Sequence, residues 1–336
     1  MNADTISIKS VPTNIITGFL GVGKTSAILQ LLKNKPVNER WAVLVNEFGE
    51  IGVDGSILKG QLSEQQGVFI REVPGGCMCC VAGVPMQVAL NQLLIRAKPD
   101  RLFIEPTGLG HPKEVLQMLA AKHYQTVLSL QKTLTLVDAR NLSNERYTTH
   151  DTFNQQIEMA DIVIGTKLDL YQSDDKAKLH TYVRKHGRPN TEVVFSKQGK
   201  IEFSLLEGKT ASQISPAHHH HHHINDKKQL AADKAIPDCG FIKAINEGEG
   251  YMSIGWIFLL NQIFDYHKLS IFLKDIGAER VKAVFITNYG TFSYNYTADG
   301  LTQKELNDCV ESRIEIISEY LEDRLERQLM ACMISL

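Results

Sequence analysis

The chain has 336 residues, 43% of them apolar, with a formal net charge of −2 and six cysteines. This length suggests two domains with enough apolar material for ordinary cores, and the charge balance lacks the basic footprint of a nucleic-acid binder. Thiols this sparse do not form a disulfide scaffold. The first twelve residues are polar, unlike a secretory signal, and the apolar run over 254–260 is too short to span a membrane. A soluble cytoplasmic protein without nucleic-acid or membrane partners is therefore expected.

The first predicted strand, over 14–17, runs into Gly18-Phe19-Leu20-Gly21-Val22-Gly23-Lys24-Thr25, and a helix pattern follows over 25–32. The motif is G-x-x-x-x-G-K-[ST] in its proper strand–loop–helix setting, which predicts a nucleoside triphosphate site. Gly18, Gly21 and Gly23 let backbone N–H groups converge on phosphates, and the helix N-terminus adds its positive end. Val22 and Ser26 belong to the same loop and first turn. Lys24 is expected at the β- and γ-phosphates, and the Thr25 hydroxyl on magnesium.

A strand over 41–45 precedes Val45-Asn46-Glu47-Phe48-Gly49-Glu50-Ile51-Gly52-Val53-Asp54, whose carboxylates and glycines suit a mobile switch loop. Next comes a strand over 68–73, and then Pro74-Gly75-Gly76-Cys77-Met78-Cys79-Cys80, followed by a helix over 84–97. Three thiols on a loop freed by two glycines can converge on one soft cation, and zinc suits thiolates. A disulfide between adjacent cysteines would be strained, although a structural or redox role is the alternative.

The strand over 101–105 ends in Glu105, with Pro106-Thr107-Gly108 after it. A carboxylate there can face the same magnesium, and the Gly108 N–H can sense a γ-phosphate on a loop that moves upon hydrolysis. Lys24, Thr25 and Glu105 are thus the expected catalytic set. A helix over 113–121, a strand over 132–137 and a helix over 153–160 lead to a strand over 162–165, which ends in Thr166-Lys167-Leu168-Asp169. Asp169 can accept from two guanine donors that adenine lacks. Thr166 stands where such motifs usually carry Asn, and Lys167 can lie over the base or brace the phosphate loop. After a helix over 174–186 and a strand over 192–195, Ser196-Lys197 is a weaker candidate for closing the base pocket. This βα rhythm predicts an α/β fold, a P-loop NTPase domain with a mostly parallel sheet, over 1–207.

Residues 208–238 read as a flexible linker carrying six histidines, His218 to His223. Exposed imidazoles there would collect zinc, cobalt or nickel weakly, whereas an inert spacer would do nothing. From 239 to 336 a small α+β domain is expected. It has strands over 240–245, 280–287 and 291–296, a mixed apolar run over 252–260 and a helix over 267–276. A hairpin is expected at Asn288-Tyr289-Gly290, and a long helix over 304–332. Cys309 and Cys332 would lie in that helix as core or partly exposed thiols, and His111 reads as a surface histidine.

Taken in order, G-F-L-G-V-G-K-T, V-N-E-F-G-E-I-G-V-D, P-G-G-C-M-C-C, I-E-P-T-G and T-K-L-D resemble the CobW-like metallochaperone GTPases. The resemblance covers the whole chain, with every motif before residue 200, and a Thr in place of Asn in T-K-x-D also occurs in that family. It implies GTP hydrolysis, with magnesium, coupled to delivery of zinc or another transition metal such as cobalt to a client metalloprotein. It also implies Cys77, Cys79 and Cys80 as metal ligands, with Glu50 assisting. A homodimer is one expectation for the assembly. Two rival readings stay open. One is a metal buffer or sensor with vestigial GTPase activity. The other is a P-loop kinase of small molecules, for which Asp169 and the thiol loop have no use.

Overall fold

The computed structural model describes residues 8, 10–46, 53, 64–73, 84–212, 237, 240–306, 309 and 311–334. These form two compact units, each with its own sheet. In chain order the first sheet contains β1 (Val11–Gly18), β2 (Trp41–Asn46), β3 (Val68–Val73), β4 (Arg101–Glu105), β5 (Leu128–Leu130), β6 (Leu134–Val137), β7 (Ile162–Gly165) and β8 (Glu192–Phe195). Its helices are α1 (Lys24–Lys33), α2 (Val84–Ala97), α3 (Pro112–Leu119), α4 (Glu145–Thr148), α5 (Asp151–Glu158) and α6 (Asp175–His186).

The strand order is β3-β2-β4-β1-β6-β7-β8, with β5 also beside β1. The pairings of β1 with β4, β5 and β6, of β2 with β4, and of β7 with β6 and β8 are all parallel. Every residue of β2, β4, β6 and β7 is buried. Largely apolar strands buried along their whole length are what a parallel sheet covered on both faces requires. Because adjacent strands run the same way, their carboxyl ends share one edge. The loops after Gly18, Glu105, Val137, Gly165 and Phe195 all leave from it, where ligands bind in open α/β sheets. The short strand β5 was not anticipated. Three residues give too brief a pattern to stand out.

The second sheet has the order β13-β12-β11-β14-β10-β9 and is antiparallel at every pairing. Its strands are β9 (Phe241–Gly248), β10 (Tyr251–Phe258), β11 (Arg280–Thr287), β12 (Gly290–Thr297), β13 (Gly300–Glu305) and β14 (Ser312–Ser318). Trp256, Phe258, Phe264, Phe285, Ile314 and Ile316 form a core with α7 (Tyr266–Asp275) and α8 (Leu325–Met330). Asp265 starts α7 by accepting from the backbone N–H groups of His267 and Lys268, at 3.0 and 2.9 Å. These bonds hold its carboxyl below the ordinary aspartate range. The expected hairpin is present, with Thr287 paired to Gly290.

The expected long helix over 304–332 is not. That stretch contains the end of β13, all of β14 and the short α8. Ile314 and Ile316 are buried in the helix-covered core, with Arg313 and Glu315 on the alternate positions. That is a period of two, and β-branched residues favour it. Leu321, Leu325 and Leu329, at spacing four, fit one helix face, but only the last two lie in α8. No helix among the described residues is long and apolar enough to cross a membrane.

Candidate nucleotide-binding site

The phosphate loop is shaped by glycines at positive φ. Gly18 has φ 144°, and a Cβ there would lie 2.4 Å from the Leu136 carbonyl oxygen. Gly21 and Gly23 have φ 71° and 95°, in the left-handed region that glycine adopts without a Cβ penalty. Gly23 caps α1, so the unsatisfied N–H groups of the first turn open toward the loop. The buried Lys24 spans the loop, its Nζ donating to the carbonyls of Gly18 at 2.7 Å and Phe19 at 3.1 Å. Thr25 Oγ1 donates to Glu105 Oε1 at 3.2 Å. The expected catalytic set is therefore brought together from two parts of the chain: Glu105, only 2% exposed, stands at the end of β4 beside the first turn of α1, which carries Lys24 and Thr25.

The loop after Glu105 is a closed turn. Leu109 N–H donates to Thr107 Oγ1 and Gly110 N–H to the Thr107 carbonyl, both at 3.0 Å. A Cβ on Gly108 would sit 2.9 Å from Leu20 Cδ2 and 3.0 Å from the Leu20 backbone nitrogen, so this glycine lies directly on the phosphate loop. From behind, Gln156 Nε2 on α5 donates to the carbonyls of Gly108 at 3.0 Å and Gly110 at 3.2 Å. His111 Nδ1 lies 2.7 Å from Gln155 Oε1, half-buried rather than on the open surface. Phe19 packs edge-on against Tyr147, His150 and Phe153, with ring centroids 5.3, 4.9 and 5.9 Å away.

On the other side of the edge, Thr166 is buried, and its N–H donates to the Val137 carbonyl at 2.8 Å. Lys167 takes a left-handed φ of 56°, and its Nζ lies 3.3 Å from Asp138 Oδ2. Asp138 is itself held by Arg140, through Nε at 2.9 Å and Nη2 at 2.6 Å. Asp169 is exposed in the short turn that follows. The Ala139 N–H donates to the Tyr171 hydroxyl at 3.1 Å, and burial pushes that phenol up to about 12. The loop after β8 is stitched to this turn. Leu168 N–H donates to the Ser196 carbonyl at 3.2 Å, and Ser196 N–H to that of Gly165 at 2.8 Å. Gly199, at φ 73°, lies so close to α1 that a Cβ there would sit 3.1 Å from the Ser26 and Ala27 backbone. The loop after β8 thus connects the 166–169 turn to the first turn of α1.

The description "CobW/HypB/UreG, nucleotide-binding domain" fits residues 12–195. The chain belongs to the CobW/HypB/UreG family. It is 41% identical over 311 residues to the zinc chaperone YeiR of Escherichia coli K12, covering 91% of this chain and 92% of YeiR. It is also 28% identical over 232 residues to the zinc chaperone CobW of Pseudomonas aeruginosa, over 61% of each chain. The zinc-regulated GTPase metalloprotein activator 1 of Schizosaccharomyces pombe is 31% identical over 171 residues, covering 50% of this chain and 41% of that protein.

Within this CobW/HypB/UreG member, the cysteines expected to hold a transition metal, Cys77, Cys79 and Cys80, lie outside the described residues, as do Glu47, Glu50 and His218 to His223. Among the described residues no group of three His, Cys, Asp or Glu side chains could hold a metal ion. Cys309 is half-buried between β13 and β14, its Sγ donating to the Glu311 carbonyl at 2.8 Å. Cys332 is buried, which pushes its thiol up to about 11 and makes it a poor nucleophile. Neither lies in the long helix expected from the sequence.

Two structural partners went unread in the sequence. Asp138 carried a signal, since it follows a buried strand as Glu105 does. Gln156 carried a fainter one, as a polar residue in the apolar stripe of α5 between Phe153 and Ile157.

Proposed function

We propose that the protein hydrolyses GTP and couples hydrolysis to carriage of a transition metal, zinc first, to a client metalloprotein in the cytoplasm. Family membership supports the reading, as does 41% identity over nearly the whole chain to a protein named as a zinc chaperone. The observation that carries it is the convergence of Lys24, Thr25 and Glu105 at the sheet edge in a chain that also holds Cys77, Cys79 and Cys80.

Lys24 neutralises charge on the β- and γ-phosphates, and the N–H groups of the glycine loop and the first turn of α1 cradle them. Gly108 senses the γ-phosphate, and Asp169 selects guanine, with Thr166 and Lys167 shaping the pocket. Thr25 and Glu105 present a hydroxyl and a carboxylate 3.2 Å apart, the hard oxygen donors that Mg²⁺ takes. When bound there, the ion supplies charge neutralisation at the transferring phosphoryl group. The cargo metal is held by the three thiols with Glu50. Residues 1–207 act as the nucleotide domain, 208–238 as a histidine-rich linker that captures metal, and 239–336 as the C-terminal domain. A homodimer is part of the same proposal.

Phosphate release from GTP and ATP, with and without zinc, cobalt or nickel on reduced protein, tests this reading. GTP turnover that exceeds ATP turnover and responds to one metal supports it. Equal turnover of the two nucleotides overturns the GTPase assignment. Turnover indifferent to every metal leaves a GTPase without the coupling.

A further inference from the structure

Gln156 is 1% exposed, on the face of α5 that also buries Phe153 and Ile157. Its side-chain amide turns to one place: Nε2 bridges the carbonyls of Gly108 and Gly110. Its backbone carbonyl accepts from Thr135 Oγ1 at 2.7 Å, which ties this part of α5 to β6. Its Oε1 is buried and has no hydrogen-bond partner among the described residues. An apolar side chain of similar volume would fill the space without burying an unsatisfied oxygen. Packing therefore does not account for an amide at this position, whereas the two carbonyls do.

The consequence lies in the peptide planes of the turn. The plane joining Gly108 to Leu109 is held at both ends, its carbonyl by Gln156 and its N–H by Thr107 Oγ1. The plane joining Thr107 to Gly108 is held at its carbonyl by the Gly110 N–H. That second plane carries the Gly108 N–H. Gln156 spans both ends of the turn, at 108 and 110, and so locks these planes as one body lying on Leu20. The next residue toward the N-terminus, Gln155, holds His111, and Phe153 packs on Phe19 of the phosphate loop. One helix thus supports the phosphate loop and the turn beyond Glu105.

We infer that Gln156 is the positioning residue of the Thr107–Gly110 turn, fixing the Gly108 N–H in the place where it recognises a γ-phosphate. The inference rests on reading this edge as a GTP site. Gln156→Leu and Gln156→Glu in the full chain test it. Glu keeps the size and shape while its carboxylate cannot donate. In nucleotide-free protein, both variants should speed amide hydrogen exchange at Leu109 and Gly110 by about tenfold, the worth of one to two net hydrogen bonds. Both should weaken binding of a non-hydrolysable GTP analogue about tenfold while GDP affinity stays within about twofold, because only the triphosphate meets the turn. If Leu does not fold, the Glu variant decides. Its analogue affinity should recover as pH falls and the carboxyl regains a donor, whereas a flat profile overturns the proposal. Unchanged exchange, or equal weakening of GDP and analogue, also overturns it. If the unsubstituted protein neither hydrolyses GTP nor discriminates the analogue from GDP, the GTPase reading fails, and the exchange measurement still decides whether Gln156 clamps the turn.

Discussion

In the parallel sheet, buried Lys24, Glu105 and Asp138 gather where strands end and loops begin. In the antiparallel sheet, buried Lys282 and Glu315 sit opposite each other in mid-strand, at the pairing of β11 with β14. Charges at a strand end are held by loop carbonyls, hydroxyls and a guanidinium, all of which can exchange for ligand atoms. Charges in mid-strand are fixed by the ladder and have nowhere to move. Burial of an ionisable group therefore marks a candidate site only where the backbone around it can rearrange. In mid-strand it is a cost of the fold that neighbours partly offset.

The comparison can be broken from either side. The largest effect is expected in the antiparallel unit. Trp256 is fully buried in its core, and Trp256→Ala should cost about 3–5 kcal/mol of that unit's stability. Calorimetry should show its transition falling while that of the parallel unit stays, and a joint fall would mean the two sheets are not separate cores. At the parallel edge, Lys24→Ala removes the ammonium that spans the phosphate loop. GTP turnover should drop about 10²–10³-fold, as for loss of one preorganised transition-state donor. Phosphate release within tenfold of the unsubstituted rate would remove Lys24 from the catalytic set.

Glu315 provides a pH test. Burial raises its carboxyl from 4.5 to about 7, against the opposing pull of Arg280 and Lys282. The folded state holds a proton that the unfolded state has released between those values. The stabilisation is thus full below pH 4.5 and lost as pH rises through 7. The antiparallel unit should lose at most about 3 kcal/mol over that window, and Glu315→Gln should flatten the dependence. A Gln variant with the same slope would assign it to another group. The smallest effect is at the base pocket. Asp169→Asn should cut the preference for GTP over ATP about 10–100-fold, with kcat for GTP much less affected. An unchanged preference would place guanine recognition elsewhere.

How far the sequence was legible follows the same division. The spans of β3, α2, β4, β7 and β8, and of β11 in the antiparallel sheet, agree with the sequence reading to the residue. Most of these strands carry a short apolar run, such as Leu102–Ile104 or Ile162–Ile164, with Gly, Pro or a charged residue close to its end. The stretch containing β14 differs from the expected helix even though Ile314 and Ile316 alternate with Arg313 and Glu315 at a strand's period; Leu321, Leu325 and Leu329 beyond it stand at the spacing of a helix face. At the site, Lys24, Thr25 and Glu105 were legible because a local motif and a strand end name them. Gln156 was not, because its role depends on where α5 lies against a turn nearly fifty positions earlier. No periodicity encodes that distance.

The strand bearing the phosphate loop, β1, takes its hydrogen-bonded neighbours from β4, β5 and β6, all far downstream. Its frame is incomplete until Val137 has been made, and the 196–200 loop against α1 follows later still. At about 5–20 residues per second, a ribosome leaves β1 without flanking strands for on the order of ten seconds. A nucleotide cannot scaffold the early nascent chain, since the cradle that would grip it does not yet exist. The hairpin-joined strands β9–β10 and β11–β12 find their first partners within a few residues, so these pairs can form as soon as they are made, although β14 must still reach back to β10.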